Sequence, residues 1–188
     1  MKGENNMATN LINYNDIHVV AESSYLGATY GDGRIISMAI EQDIDNGKLL
    51  AKGEYLKPEI YKGEIPTTTN KVYLVLEPPV VTENYASAMQ AEKYFFNDAS
   101  DFAMGYTNGL RCYPLNKDDV FTVSAVGIKA LADAPVVGNY VVNDGIDIAE
   151  SATNDSATNG FVGQIIEKVM KSDGAHYRIE VVQNKEIA

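Results

Sequence analysis

Two histidines, one cysteine and a scatter of carboxylates are the residues of this chain with the chemistry to act on a substrate or hold a metal. A nucleophile, an imidazole and an orienting acid would have to meet around His18 or His176. No G-x-S-x-G turn accompanies either. In "HYRIEVV", His176, Arg178 and Glu180 alternate with Tyr177, Ile179 and Val181. That spacing predicts a strand with His176 on its solvated face. Cys112, in "LRCYPL", is the single cysteine, so no disulfide forms within the chain. It reads as a small buried apolar residue, because a reactive thiol wants a basic neighbourhood and only Arg111 supplies one.

Metal and phosphate sites fare no better. One Cys and two isolated His do not supply a structural zinc site. "DIDNGKLLAKGE" (43–54) mimics a calcium loop at Asp43, Asp45 and Glu54, but Gly47 offers no ligand at the fifth position and Lys48 replaces the turn glycine. It reads as a polar hairpin turn. "GATYGDG" (27–33) has no Lys-Ser/Thr end and no following helix, so it is not a phosphate cradle. Asp118 and Asp119 are adjacent, and neighbouring strand residues point to opposite faces, which predicts a charged turn rather than an acid/base pair. No cofactor, no metal and no enzymatic activity are expected.

The elements that would position these residues are short and punctuated. Asp-Gly or Asn-Gly pairs stand at Asp32-Gly33, Asn46-Gly47, Asn108-Gly109, Asp144-Gly145, Asn159-Gly160 and Asp173-Gly174. Each tolerates the positive φ of a tight hairpin turn. Between them lie "RIISMAI" (34–40), "KVYLVLE" (71–77), "DVFTVSAVGI" (119–128), "GNYVVN" (138–143) and "YRIEVV" (177–182). The pattern predicts a mainly β fold, an antiparallel β-barrel or β-sandwich, with at most one or two short helices.

In "GFVGQIIEKVMKSDGAHYRIEVVQ" (160–183), helical periodicity competes with a hairpin. Gly160 and Gly163 weaken a helix start, and Ser172-Asp173-Gly174 is good turn chemistry. A hairpin is favoured, its first arm apolar on both faces and suited to closing a barrel. The best helix candidate is "ENYASAMQAEKYFF" (83–96). Pro78-Pro79 ends the strand before it. The expected organisation is a polar N-terminal arm over 1–16, then a single β-rich domain over 17–188, with a flexible loop at about 150–160 where "SATN" occurs twice.

The 188 residues carry 15 Lys plus Arg against 26 Asp plus Glu, a net charge of −11. That balance repels phosphate backbones and anionic membranes, so neither nucleic acid nor membrane is expected as a partner. The N-terminus lacks the apolar core of a signal peptide, and no apolar run reaches the roughly 20 residues that span a bilayer. Synthesis in a cytoplasm, with the protein soluble there, is expected. Twelve tyrosines and no tryptophan suit interfaces and β-sheets equally.

"YFFNDASDFAMGYTNGLRCYPLNKDDVFTVSAVGI" (94–128) resembles small head proteins of tailed bacteriophages. The matching residues are Phe96, Asn97, Gly109, Arg111, Tyr113, Leu115, Asp119, Phe121, Val123 and Ser124. "VGNYVV", "GFVGQIIEKV" and "YRIEVVQ" look like the closing strands of such proteins. The resemblance covers about half the chain and leaves 17–70 and the "SATN" loop unmatched. It implies a capsid decoration protein on the outer surface of the virion. Its partner would be the major capsid protein, and it would form a homo-oligomer, with a trimer favoured. Leu11, Ile12 and Tyr14 of the arm are the expected contacts with the shell or a sister subunit. The alternative is a carbohydrate-binding β-domain of a tail or cell surface, using tyrosines of 55–61 and 106–113. A hydrolase built around His18 or His176 is a third reading.

Overall fold

The structure is a computed structural model that describes residues 19–30, 34–40, 44–57, 60–76, 109–171 and 174–187. Leu11, Ile12, Tyr14, His18, Pro78-Pro79 and the helix expected over 83–96 lie outside the described residues. The fold is mainly β. Its strands are β1 Ala21–Tyr25, β2 Ile36–Ala39, β3 Leu49–Lys57, β4 Ile60–Glu64, β5 Tyr73–Val75, β6 Leu110–Pro114, β7 Val120–Ser124, β8 Ile128–Lys129, β9 Tyr140–Asp144, β10 Asp147–Ser151, β11 Phe161–Lys171 and β12 Gly174–Asn184. Two short 3-10 turns, Gly27–Tyr30 and Ala125–Gly127, are the helical elements among the described residues.

The strands form a seven-stranded sheet, β1-β7-β12-β11-β9-β10-β8, and a small closed barrel, β2-β4-β3-β5-β6. Pairing is antiparallel except for β2 with β4 and β8 with β10. Alternation along three barrel strands joins the two assemblies. Leu49, Leu74 and Tyr113 belong to the larger core, with Phe121, Phe161, Tyr177 and Ile179 of the sheet. Their chain neighbours Leu50, Val75 and Cys112 fill the smaller core with Met38 and Leu110. Strands β3, β5 and β6 are thus apolar on both faces, as strands between two layers must be. Leu49 N–H also donates to the Ile146 carbonyl at 2.8 Å, and Asp147 takes Lys48 Nζ at 2.7 Å and Lys129 Nζ at 2.8 Å.

Three of the expected turn glycines have positive φ, Gly109 and Gly160 do not, and Gly33 lies outside the described residues. Gly47 has φ 74°, Gly145 φ 59° and Gly174 φ 125°. Asp144 pairs with Asp147, so Gly145 and Ile146 form a two-residue hairpin loop with positive φ at Gly145 alone, as a type II′ turn requires.

The β11–β12 hairpin forms, with Lys171 opposite Gly174 and Ile165 opposite Ile179. Its role differs from the sequence expectation. It lies inside the seven-stranded sheet and closes no barrel. Its first arm is buried on both faces only at its start, where Phe161 and Val162 are both core. The register shifts between Ile165 and Glu167; Ile166, at that bulge, is 40% exposed, and Met170 beyond it 70%. An extra residue in one strand re-aims everything after it.

The stretch expected as a loop begins inside β10, which includes Glu150 and Ser151. Beyond it, Asp155 accepts hydrogen bonds from Ser151 Oγ and Thr153 Oγ1, both at 2.8 Å. Gln183 Nε2 donates to the carbonyls of Ser156 and Asn159.

Candidate functional site

The chemically capable residues are dispersed and serve the framework. Cys112 is fully buried inside the barrel core, as its apolar reading predicts. Asp45 accepts the Val19 N–H at 2.7 Å and the Asn46 N–H at 2.9 Å, in the turn before β3. Glu54 is exposed on β3, and Asp43 lies outside the described residues. Among the described residues no three His, Cys, Asp or Glu side chains are grouped to hold a metal, and no helix is long and apolar enough to cross a membrane.

Asp118 and Asp119 separate as expected. Asp118 is exposed with φ 72°, and Asp119 is buried. Asp119 Oδ2 accepts the Asn116 N–H and Oδ1 the Gly27 N–H, both at 2.7 Å, so it closes its own turn and ties it to the loop after β1.

His176 requires a correction. Its neighbours follow the alternation, with Tyr177, Ile179 and Val181 buried and Arg178 exposed. His176 itself is only 1% exposed, opposite Ser124 in β7. Ser124 is itself buried and its Oγ accepts the Val20 N–H, so chain packs over a face that alternation alone assigns to solvent.

The residues carrying the phage-head resemblance are structural. Leu115, Phe121 and Val123 are core, and Ser124 Oγ accepts the Val20 N–H at 3.0 Å. Tyr113 is also core, so it offers no ring to a sugar. Arg111 is exposed on β6, and Phe96, Asn97 and Tyr106 lie outside the described residues.

The surface that stands out is the loop between β8 and β9, "ALADAPVVG" (130–138). Leu131 is 61%, Val136 53% and Val137 48% exposed. Buried Glu150 holds this loop from beneath. Its Oε2 accepts the Leu131 N–H at 2.9 Å, and Oε1 accepts the Val136 N–H at 2.8 Å and Asn139 Nδ2 at 2.7 Å. Burial pushes the Glu150 carboxyl up, but the Leu131, Val136 and Asn139 donors together outweigh it and hold the pKa below the ordinary carboxylate value. Asn139 N–H closes a turn on the Val136 carbonyl, with Gly138 at φ 97°. Gly138 N–H donates to the Ile165 carbonyl at 2.8 Å and Ile165 N–H to the Asn139 carbonyl at 2.9 Å. The chain at Val137–Gly138 therefore runs alongside exposed Ile166. Three large apolar side chains, Leu131, Val136 and Val137, are displayed on a loop held by one carboxylate, with Ile166 of β11 exposed as a fourth. The sequence reading passed over this loop because it shows neither strand alternation nor a reactive residue.

Comparison with models of known protein families, with curated proteins and with solved structures finds no match.

Proposed function

We propose that this protein is a capsid decoration protein of a tailed bacteriophage, binding the outer surface of the assembled head and stabilising it. The observation that carries the reading is the loop 130–138. Leu131, Val136 and Val137 are left in solvent although Glu150 fixes the backbone that bears them. Exposed apolar side chains brought together on a fixed backbone are the signature of a protein-contact surface. Because the loop is already ordered, little conformational entropy is lost on docking. The two-layer β-body behind it, and the likeness of 94–128 to phage head proteins, support the same reading.

The mechanism is linkage. A protein that binds the assembled lattice more tightly than free subunits shifts the equilibrium toward the lattice. A symmetric oligomer, a trimer for preference, adds avidity by touching several capsomers at once. Leu11, Ile12 and Tyr14 of the arm 1–16 provide a second contact in this account, with the shell or a sister subunit.

The test is imaging virions produced with and without this protein by negative stain. Outer-surface density that is lost in its absence, together with earlier head rupture on heating, is expected. Indistinguishable heads would overturn the proposal.

A further inference from the structure

The β3–β4 hairpin carries another surface, which shell binding through loop 130–138 does not use. Tyr55 opposes Tyr61 across the hairpin, with register shifts on either side of the pair. Such irregularities re-aim side chains and recur beside binding sites. The two ring centroids are 5.4 Å apart at 69°, an edge-to-face pair. Lys52 Nζ stands 3.9 Å from the centroid of Tyr61 and covers one face of that ring. Tyr61 backs onto the barrel core, as does Tyr73, and Lys71 Nζ is 5.9 Å from the Tyr73 ring. Tyr55 is 59% exposed and Leu56 beside it 40%. One ring is therefore braced by the core and an ammonium, and the other stands roughly perpendicular to it and is more than half exposed.

Over 49–64 the sequence is charge-balanced, with Lys52, Lys57 and Lys62 against Glu54, Glu59 and Glu64, within a strongly acidic chain. The chain carries −11, yet among the described residues no carboxylate pairs with the Lys52 ammonium. Glu64, in register with Ala51, is laid across Gly53, where an added Cβ would stand 2.6 Å from its Oε1.

We propose that the face formed by Tyr55, Tyr61 and Lys52 binds an acidic saccharide, a sugar bearing a uronate carboxylate. The C–H face of the pyranose stacks on the exposed ring of Tyr55, and the carboxylate takes a charge-assisted hydrogen bond from Lys52. Tyrosine gives that contact area with few rotamers to freeze. A neutral sugar lacks the second interaction, and a simple anion lacks the first. The proposal is independent of the shell-binding reading.

The test is calorimetric titration of the full chain with trigalacturonate and, in parallel, with neutral galactotriose and with acetate. Binding of trigalacturonate at least about tenfold tighter than of galactotriose, with none to acetate, is expected. Tyr55→Ala should weaken it about tenfold or more, and Lys52→Gln should abolish the preference for the charged sugar. Tyr55 is exposed, so an unchanged melting temperature of Tyr55→Ala separates lost binding from lost fold. No binding of trigalacturonate at millimolar concentration, equal binding of the neutral sugar, or binding indifferent to both substitutions would overturn the proposal.

Discussion

The side-chain amide of Asn184 is matched to the backbone of Val72: Asn184 Oδ1 accepts the Val72 N–H at 2.9 Å, and Asn184 Nδ2 donates to the Val72 carbonyl at 2.8 Å. The same Nδ2 donates to the Leu115 carbonyl at 2.9 Å. One side chain at the end of β12 thus does for two barrel segments what a neighbouring strand would do. Val72 is fully buried and Leu115 nearly so, so water does not replace these bonds. Asn184→Ala should lower stability by about 2–4 kcal/mol, the cost of leaving buried backbone groups unmet. Asn184→Asp keeps the shape but turns a donor into an oxygen facing two carbonyls, and should do no better. Denaturant midpoints followed by circular dichroism check both.

Glu150 makes stability depend on pH. Its folded pKa lies below the ordinary value, because the Leu131, Val136 and Asn139 donors outweigh the effect of burial. A depressed carboxylate stabilises the fold above its unfolded pKa of about 4.3 and loses that contribution as pH falls through the folded value. Glu150→Gln replaces one acceptor with an amide that confronts a backbone N–H. It should lower the melting temperature at pH 7, with the gap from the parent protein narrowing as pH drops below about 4.5. Parallel melts from pH 7 to pH 3 measure this. A gap constant across that range would show that Glu150 is not the titrating group.

Two glycines are predicted to resist replacement to different degrees. A Cβ on Gly160 would stand 2.4 Å from the Asn70 carbonyl oxygen, 2.6 Å from that of Lys185 and 2.7 Å from that of Thr69. All three are backbone atoms, held by bonds such as Gly160 N–H to the Thr68 carbonyl at 2.7 Å. On Gly163 the Cβ would meet Ile179 Cγ2 at 2.6 Å and Val141 Cγ2 at 2.9 Å. Those side chains have rotamers to move into. Gly163→Ala should cost about 1–3 kcal/mol, and Gly160→Ala more. Soluble yield and melting temperature of the two variants should rank in that order.

Local signals were legible in the chain and long-range ones were not. Alternation at Tyr177, Ile179 and Val181 and the turn glycines 47, 145 and 174 announce strands and hairpins, because they reflect the chain's own geometry. The partners do not follow. Phe121 lies opposite Ile179 and Met38 opposite Tyr61 through pairings between distant segments. Strand β6 hid in "LRCYP", where Arg and Pro mask the apolar Leu110 and Cys112 that face the barrel core. Ile166 and Met170 look like core residues until a bulge turns them outward, and His176 looks solvated although it lies buried opposite Ser124. The apolar loop 130–138 shows neither alternation nor a reactive residue, and it is Glu150 of β10 and Ile165 of β11, paired with it only in the fold, that hold it at the surface.

The claim that loop 130–138 is a shell-binding surface is tested most directly by measuring occupancy on assembled heads. Purified protein would be added to heads lacking it and the bound fraction read after sedimentation, for the parent chain, for Leu131→Asp with Val137→Asp, and for a chain without residues 1–16. Both side chains are exposed, so the aspartates should change stability by no more than about 0.5 kcal/mol. The account predicts saturable binding by the parent, at least tenfold weaker binding by the double aspartate variant, and a smaller loss on removing the arm. Heads that take up no parent protein, or take up the aspartate variant equally well, would contradict it.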